Sequence, residues 1–162
     1  MALDSSTREI APSPGPSRLW QSAISEDVSF LLARANAVSM ARTHEALGPF
    51  GLKVRPYALL GIVAADTRPS QRELSEFLRL DPSQIVSLVD DLQTRGLVRR
   101  EPDPRDRRAN VVVATDEGVR LYEAARAEVL QAEAAWLAEL PSEIRNRFAR
   151  ALAQLATTEE VA

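Results

Sequence analysis

Apolar side chains return at helical spacing between Ser25 and Leu47, where Val28, Leu31, Leu32, Ala35 and Val38 fall on one stripe. That pattern predicts a long amphipathic helix, closed by Gly48, Pro49 and Gly51. A second helix carries Tyr57, Leu60, Ile62 and Val63. Pro56 is expected at its first position, where the missing N–H would have no partner anyway. Asp66 to Pro69 interrupts the pattern. Ser70-Gln71-Arg72-Glu73 then has the form of a capping box, in which the serine oxygen accepts from the third helical amide and the glutamate reaches back. It opens a short third helix with Leu74, Phe77 and Leu78 expected on the buried face. Asp81-Pro82-Ser83-Gln84 starts a fourth helix, with Asp81 as N-cap and Pro82 at the first position. Its stripe is Ile85, Leu88, Val89 and Leu92, and Gly96 ends it. Two helices separated by so short a gap form a helix-turn-helix.

The pattern then changes. Leu97 to Arg100 (LVRR) reads as a strand, and so does the apolar run ending at Ala114. Between them lies a loop of prolines, aspartates and arginines, so the pair is a β-wing. Thr115 caps a fifth helix running toward Leu140, with Leu121, Ala125, Val129, Ala132 and Trp136 on one face. Pro141 starts a sixth, striped by Ile144, Phe148, Ala151, Leu152 and Leu155. The fold class is therefore mainly α with a small β-wing (α+β): a winged helix-turn-helix with a helical dimerisation region. Residues 1–18, rich in Ser, Thr, Pro and Gly, are expected to be a flexible tail. Residues 19–162 are expected to be a single domain. The winged helix-turn-helix would span about 55–118, and the dimerisation helices about 19–47 and 119–156.

Composition narrows the function. The chain of 162 residues is 45% hydrophobic and 27% charged, as in an ordinary globular domain. It shows no apolar run of membrane-spanning length and no basic-then-apolar leader, so a cytoplasmic location with no membrane partner is expected. Cysteine is absent, which excludes disulfides and thiolate chemistry. His44 is the single histidine, so no histidine-rich metal site can form within one chain. No nucleophile–base set or phosphate-cradling glycine loop stands out, so neither a catalytic role nor a cofactor is expected. The net charge of −3 argues against nucleic acid, but six of the nineteen arginines lie between Arg95 and Arg108. The basic footprint is local, as one DNA-facing edge requires.

With its apolar stripe inward, the fourth helix turns Ser83, Val86, Ser87, Asp90 and Thr94 outward and leaves Gln84 on the flank. Ser and Gln can meet base edges, and valine can meet a thymine methyl. Taken alone, such a face also suits a merely solvated helix; the neighbouring arginines shift the balance to DNA. Arg105, Arg107 and Arg108 sit at the wing tip, suited to the negative potential of the minor groove. Asp103 and Asp106 would hold an arginine fork in position. The alternative is a soluble hairpin laced with salt bridges. The outer helices carry more apolar surface than a small winged domain needs, so they either fold back on it or form a homodimer, and palindromic DNA favours the dimer. A ligand site is expected where Trp20, His44 and Tyr57 could gather, with Arg18, Arg42 or Arg55 as counter-charge. Core or surface roles are open to each of these residues. A winged-helix protein-interaction module without a DNA target of its own is the competing reading, kept open by Asp90 and Asp91.

From Leu78 onward, LRLDPSQIVSLVDDLQTRGLVRR and DPRDRRANVVVATDEG resemble the MarR family of bacterial transcription regulators. That family's wing has an aspartate, an arginine two residues on, a threonine closing the second wing strand, and a glycine three residues later. Asp106, Arg108, Thr115 and Gly118 match. The resemblance covers about residues 25–156. It implies a homodimer on double-stranded DNA carrying a pseudo-palindromic operator, usually a repressor released by a small, often aromatic, anionic effector. By position, Pro82, Ser83, Gln84, Val86 and Ser87 would approach the major groove, and Arg108, supported by Asp106, the minor groove. The chain departs from the pattern at Ser87 and Asp91, where relatives often carry arginine, and at Ala114, where leucine is common. Without cysteine it lies outside the family's cysteine-based branch.

Overall fold

The computed structural model describes residues 18–104, 106 and 109–157. Two 3-10 turns, Arg18–Gln21 and Ala23–Glu26, precede six helices: α1 Val28–Leu47, α2 Val54–Ala64, α3 Gln71–Leu78, α4 Pro82–Thr94, α5 Asp116–Leu137 and α6 Ser142–Ala156. A third 3-10 turn, Gly48–Phe50, joins α1 to α2, and the strands β1 Val98–Pro102 and β2 Asn110–Ala114 lie between α4 and α5. The chain divides into two compact units, one up to Val38 and one from Ser39 onward. In the first, Trp20 meets the edge of the Phe30 ring with 6.2 Å between centroids, and the Arg34 guanidinium lies 4.9 Å over the Trp20 ring.

The second unit holds the core. Leu59, Leu60 and Val63 of α2, Leu74 of α3, Ile85, Val89 and Leu92 of α4, and Ala125 and Val129 of α5 form one buried cluster with Leu47, Leu97, Val98 and Val112. The inward residues of α4 and α5 are those the 3.6-residue period selects. β1 and β2 pair antiparallel, with Val98 opposite Ala114 and Pro102 opposite Asn110. Val111, Val112 and Val113 are all buried, whereas a solvated hairpin would alternate. The cause is a third layer of chain: Val112 N–H donates to the Pro69 carbonyl at 2.8 Å, and Ser70 bridges Val111. The entry to α3 thus lies along the outer edge of β2.

Four local expectations differ from the structure. α1 begins at Val28, because Ala23–Glu26 forms a separate 3-10 turn. Pro56 is the third residue of α2 rather than the first; the first four N–H groups of a helix lack partners, so proline costs no bond there either. α5 ends at Leu137, with Ala138 as C-cap. Phe77 is 76% exposed. Gln71, Leu74, Ser75 and Leu78 set the inward side of α3, and at 100° per residue Phe77 lies well off that side.

Candidate nucleic-acid interface

Capping fixes the helix-turn-helix. The Ser70 side chain accepts from Glu73 N–H while Glu73 accepts from Ser70 N–H, the full capping box. α3 ends on Arg79 at φ 51°, a left-handed turn, and the chain resumes at once with α4. Asp81 caps α4, accepting from the N–H of Ser83 at 2.8 Å and from its hydroxyl at 2.5 Å. These two bonds, the hydroxyl first, hold the Asp81 carboxyl below its ordinary range. α4 closes through Gly96 at φ 71°: Gly96 N–H donates to Gln93 O at 2.9 Å and Leu97 N–H to Leu92 O at 2.9 Å. A left-handed residue is needed there, and glycine takes it without strain.

Arg100 ties these pieces together. From β1 its guanidinium donates to Asp90 Oδ1 at 2.6 Å and Gln93 Oε1 at 2.8 Å, both on α4, and to Gln71 Oε1 of α3 at 2.8 Å. One side chain therefore joins the wing to both helices. Asp90, which from sequence alone weakens a DNA reading, is spent on this fork. Arg68 and Arg99 both pair with Glu101, whose carboxyl is held below its ordinary range, by Arg99 first and then Arg68.

The exposed side of α4 carries Pro82, Ser83, Gln84, Val86 and Ser87, so the structure brings the five expected groove-facing residues to one face. Ser87 Oγ donates to the Ser83 carbonyl at 3.1 Å. Both serine protons are thus engaged within the helix and its cap.

In the wing, Asp103 N–H donates to Ala109 O and Ala109 N–H to Asp106 O, both at 2.9 Å. Asp103 is buried and Asp106 exposed. Arg105, Arg107 and Arg108 lie outside the described residues. The motif beyond the wing has a clear role. Thr115 Oγ1 donates to Gly96 O at 2.7 Å and accepts from Gly118 N–H at 3.0 Å, while Thr115 N–H donates to Leu97 O at 3.0 Å. A Cβ on Gly118 would stand 2.0 Å from the Leu97 carbonyl oxygen. The Thr115–Gly118 spacing is thus the joint that seats α5 on the end of α4.

Of the residues expected to line an effector site, Arg42 and Arg55 line two different cavities. Trp20 belongs to the first unit and Arg18 lies in its opening turn. His44 is exposed on α1. Tyr57 stacks at a tilt on Tyr122, centroids 5.4 Å apart, and burial, then Tyr122, pushes its phenol above the ordinary value. Arg42, 3.7 Å from Glu139, lines a cavity of about 580 Å3 with Glu45, Phe50, Glu128 and Gln131. Arg55 lines a different groove, of about 570 Å3, with Lys53, Ser83, Gln84, Ser87 and Arg95. The sequence pattern does not disclose this groove or the Arg100 fork, because both join residues far apart in the chain. Among the described residues no group of histidine, cysteine or carboxylate side chains is placed to hold a metal, and no helix is long and apolar enough to cross a membrane.

A capped helix pair, an antiparallel wing fastened to it and flanking long helices define a winged helix-turn-helix protein. Comparison with known proteins refines the class. The sequence model of the MarR family matches residues 50–109. A transcriptional regulator of the MarR family from Rhodococcus sp. RHA1 is 39% identical, with a TM-score of 0.76, over 83% of this chain and 96% of that one. CouR from Rhodococcus jostii RHA1, solved bound to p-coumaroyl-CoA, is also 39% identical, with a TM-score of 0.75, over 86% and 99%. The HTH-type transcriptional repressor Rv2887 of Mycobacterium tuberculosis is 27% identical over 128 residues, 79% of this chain and 92% of the repressor; its complex with p-aminosalicylic acid superposes with a TM-score of 0.68. This chain belongs to the MarR family, whose members are transcriptional regulators and not enzymes.

Proposed function

We propose that the protein is a homodimeric repressor of a pseudo-palindromic operator, released by a small aromatic or anionic effector. The observation that carries the reading is the exposed face of α4, with Pro82, Ser83, Gln84, Val86 and Ser87 together on a helix locked to the wing by Arg100. In this reading α4 enters the major groove. Ser83 and Ser87, whose protons are engaged by Asp81 and the Ser83 carbonyl, accept from the exocyclic amino groups of adenine or cytosine. Arg105, Arg107 and Arg108 enter the minor groove, with Asp106 orienting Arg108. Dimerisation is supported by apolar residues exposed on the single chain: Val28, Leu31, Leu32 and Val38 on α1, and Ile144, Leu152 and Leu155 on α6. Covering such stripes is what a two-fold interface does. The effector class is supported by the aromatic thioester bound to CouR and the aromatic acid bound to Rv2887.

The test is a gel-shift titration on a duplex selected by the wild-type protein from random DNA. Arg108→Ala is expected to weaken binding. Asp106→Ala is expected to weaken it too, although it removes negative charge near phosphate. Tighter binding by Asp106→Ala would show that the wing acts by bulk charge and not by a positioned fork. p-Coumaroyl-CoA and p-aminosalicylate are the first effectors to add. A coupling of about 1–3 kcal/mol would weaken DNA binding about 5- to 150-fold, and DNA would weaken effector binding equally. Failure to select any duplex would favour a protein-interaction module.

A further inference from the structure

The groove beside α4 has features the reading face does not use. Lys53, Arg55 and Arg95 line it along with Ser83, Gln84 and Ser87, and Asp91 is its one carboxylate. Lys53 is the only lysine in the chain. Lys53 and Arg55 are both exposed. Among the described residues neither joins an ion pair, whereas Arg68, Arg99, Arg100 and Arg120 each hold a carboxylate at 2.5–2.7 Å. Arg95 and Asp91 stand 3.9 Å apart, a loose pair. Lys53 and Arg55 also sit at the start of α2, where the helix dipole disfavours cations. Their charge therefore does nothing for α2 itself, and it is concentrated across a groove from the residues proposed to meet base edges.

We propose that Lys53 and Arg55 clamp a backbone phosphate of the DNA strand whose base edges face α4. The inference rests on the DNA reading above and extends it to α2. Bases meeting Ser83, Gln84 and Ser87 carry their sugar–phosphate strand along the flank of the helix, and the groove on that flank is lined by Lys53 and Arg55, which hold no carboxylate among the described residues. Interactions of this kind fix register and supply affinity without sequence information. The clamp also offsets the sparse charge of α4, whose exposed face carries no arginine.

The experiment compares the full chain with K53A, R55A, the double variant and Q84A, on a duplex selected by the wild type and on an unrelated duplex, across a salt series. The two cations are exposed, so melting temperatures are expected to match the wild type; K53Q/R55Q serves as a second variant should alanine perturb α2. The double variant is expected to lose affinity equally for both duplexes. Its log–log salt slope is expected to become shallower by about 0.9 for each phosphate it no longer neutralises. K53R/R55K should keep most of the affinity. Q84A is expected to do the reverse, narrowing the preference for the selected duplex while keeping the salt slope. Unchanged affinity and slope in the double variant, with Q84A still lowering preference, would overturn the clamp and leave the DNA reading intact. Absence of any DNA binding by the wild type would overturn both. A double variant that binds DNA normally but no longer shows a thermal shift with p-coumaroyl-CoA would assign the cations to an effector, and that too would overturn the clamp.

Discussion

Replacing Gly118 by alanine sets two physical arguments against each other. Gly118 is the third residue of α5, and by helix propensity alone alanine would stabilise the protein by up to about 1 kcal/mol. The new Cβ, however, would lie 2.0 Å from Leu97 O, 3.0 Å from Leu97 C and 3.3 Å from Leu60 Cδ1. The nearest obstacle is backbone, so no rotamer change relieves it, and α5 must withdraw from the end of α4 by about 1 Å to reach a tolerable separation. That movement strains the Thr115 cap and the Thr115 N–H bond to Leu97 O. Losing the cap costs about 1 kcal/mol, and forcing extra volume into a packed joint costs about 1–3 kcal/mol. Set against the helical gain, the net destabilisation is about 1–3 kcal/mol. At about 2–4 °C per kcal/mol for a chain of this length, the melting temperature should fall by about 2–12 °C. Differential scanning calorimetry measures it. Gly48→Ala is the control, because nothing lies within 4 Å of that Cβ position, and it should be near neutral. An unchanged or raised melting temperature for Gly118→Ala would refute the close-approach argument and leave the wing motif's glycine without a structural account.

Three further expectations can be checked together. Arg100→Met keeps the stem but removes the fork to Gln71, Asp90 and Gln93; a loss of about 2 kcal/mol in denaturant unfolding is expected, with a narrower gap between selected and unrelated DNA, and full retention of both would show that the fork is ornamental. Phe148→Glu with Leu152→Glu should turn a dimer into a monomer or an unfolded chain, because charge on a covered apolar face is costly; light scattering that gives a monomer for the wild type at micromolar concentration would end the dimer proposal. Tyr57, raised chiefly by burial, keeps its proton in the fold after the unfolded tyrosine has begun to lose it near pH 10. The unfolded state then binds fewer protons, so stability should fall only above about pH 10. Tyr57→Phe should flatten that fall in an alkaline unfolding series, and an identical alkaline limb would remove Tyr57 as its source.

What can be read from the sequence is local. Ser70, Asp81 and Thr115 announce their helices because capping needs residue types at fixed offsets of two or three positions, and each cap forms as expected. Gly96 and the inward stripes of α4 and α5 follow from the same short-range periodicity. Distance in the chain hides the rest. Arg100 meets Gln71 across 29 residues, so Asp90 resembles an acidic blemish on a DNA-facing helix until its partner is seen. Pro69 and Ser70 reach β2 from about 40 residues away, which buries three consecutive valines that pattern alone cannot place on both faces. Phe77 falls on the wrong side of the pattern because an eight-residue helix offers too few turns for a stripe to declare its centre. The groove that Arg55 shares with Ser83, Gln84 and Ser87 is hidden in the sequence because it joins the start of α2 to α4, about 30 residues on.

The division of labour on α4 has an evolutionary consequence. Ile85, Val89 and Leu92 are buried in the core, and Asp90 and Gln93 hold the fork to Arg100. Gln84 and Val86 are exposed, and the hydroxyls of Ser83 and Ser87 make only short-range bonds within the helix and its cap. Mutation can therefore rewrite these four letters almost freely without disturbing the stability of the fold. If α4 reads DNA as proposed, a duplicated copy of the gene would be able to drift toward a new operator through folded intermediates, one outward side chain at a time, while the Arg100 frame keeps α4 in the same pose.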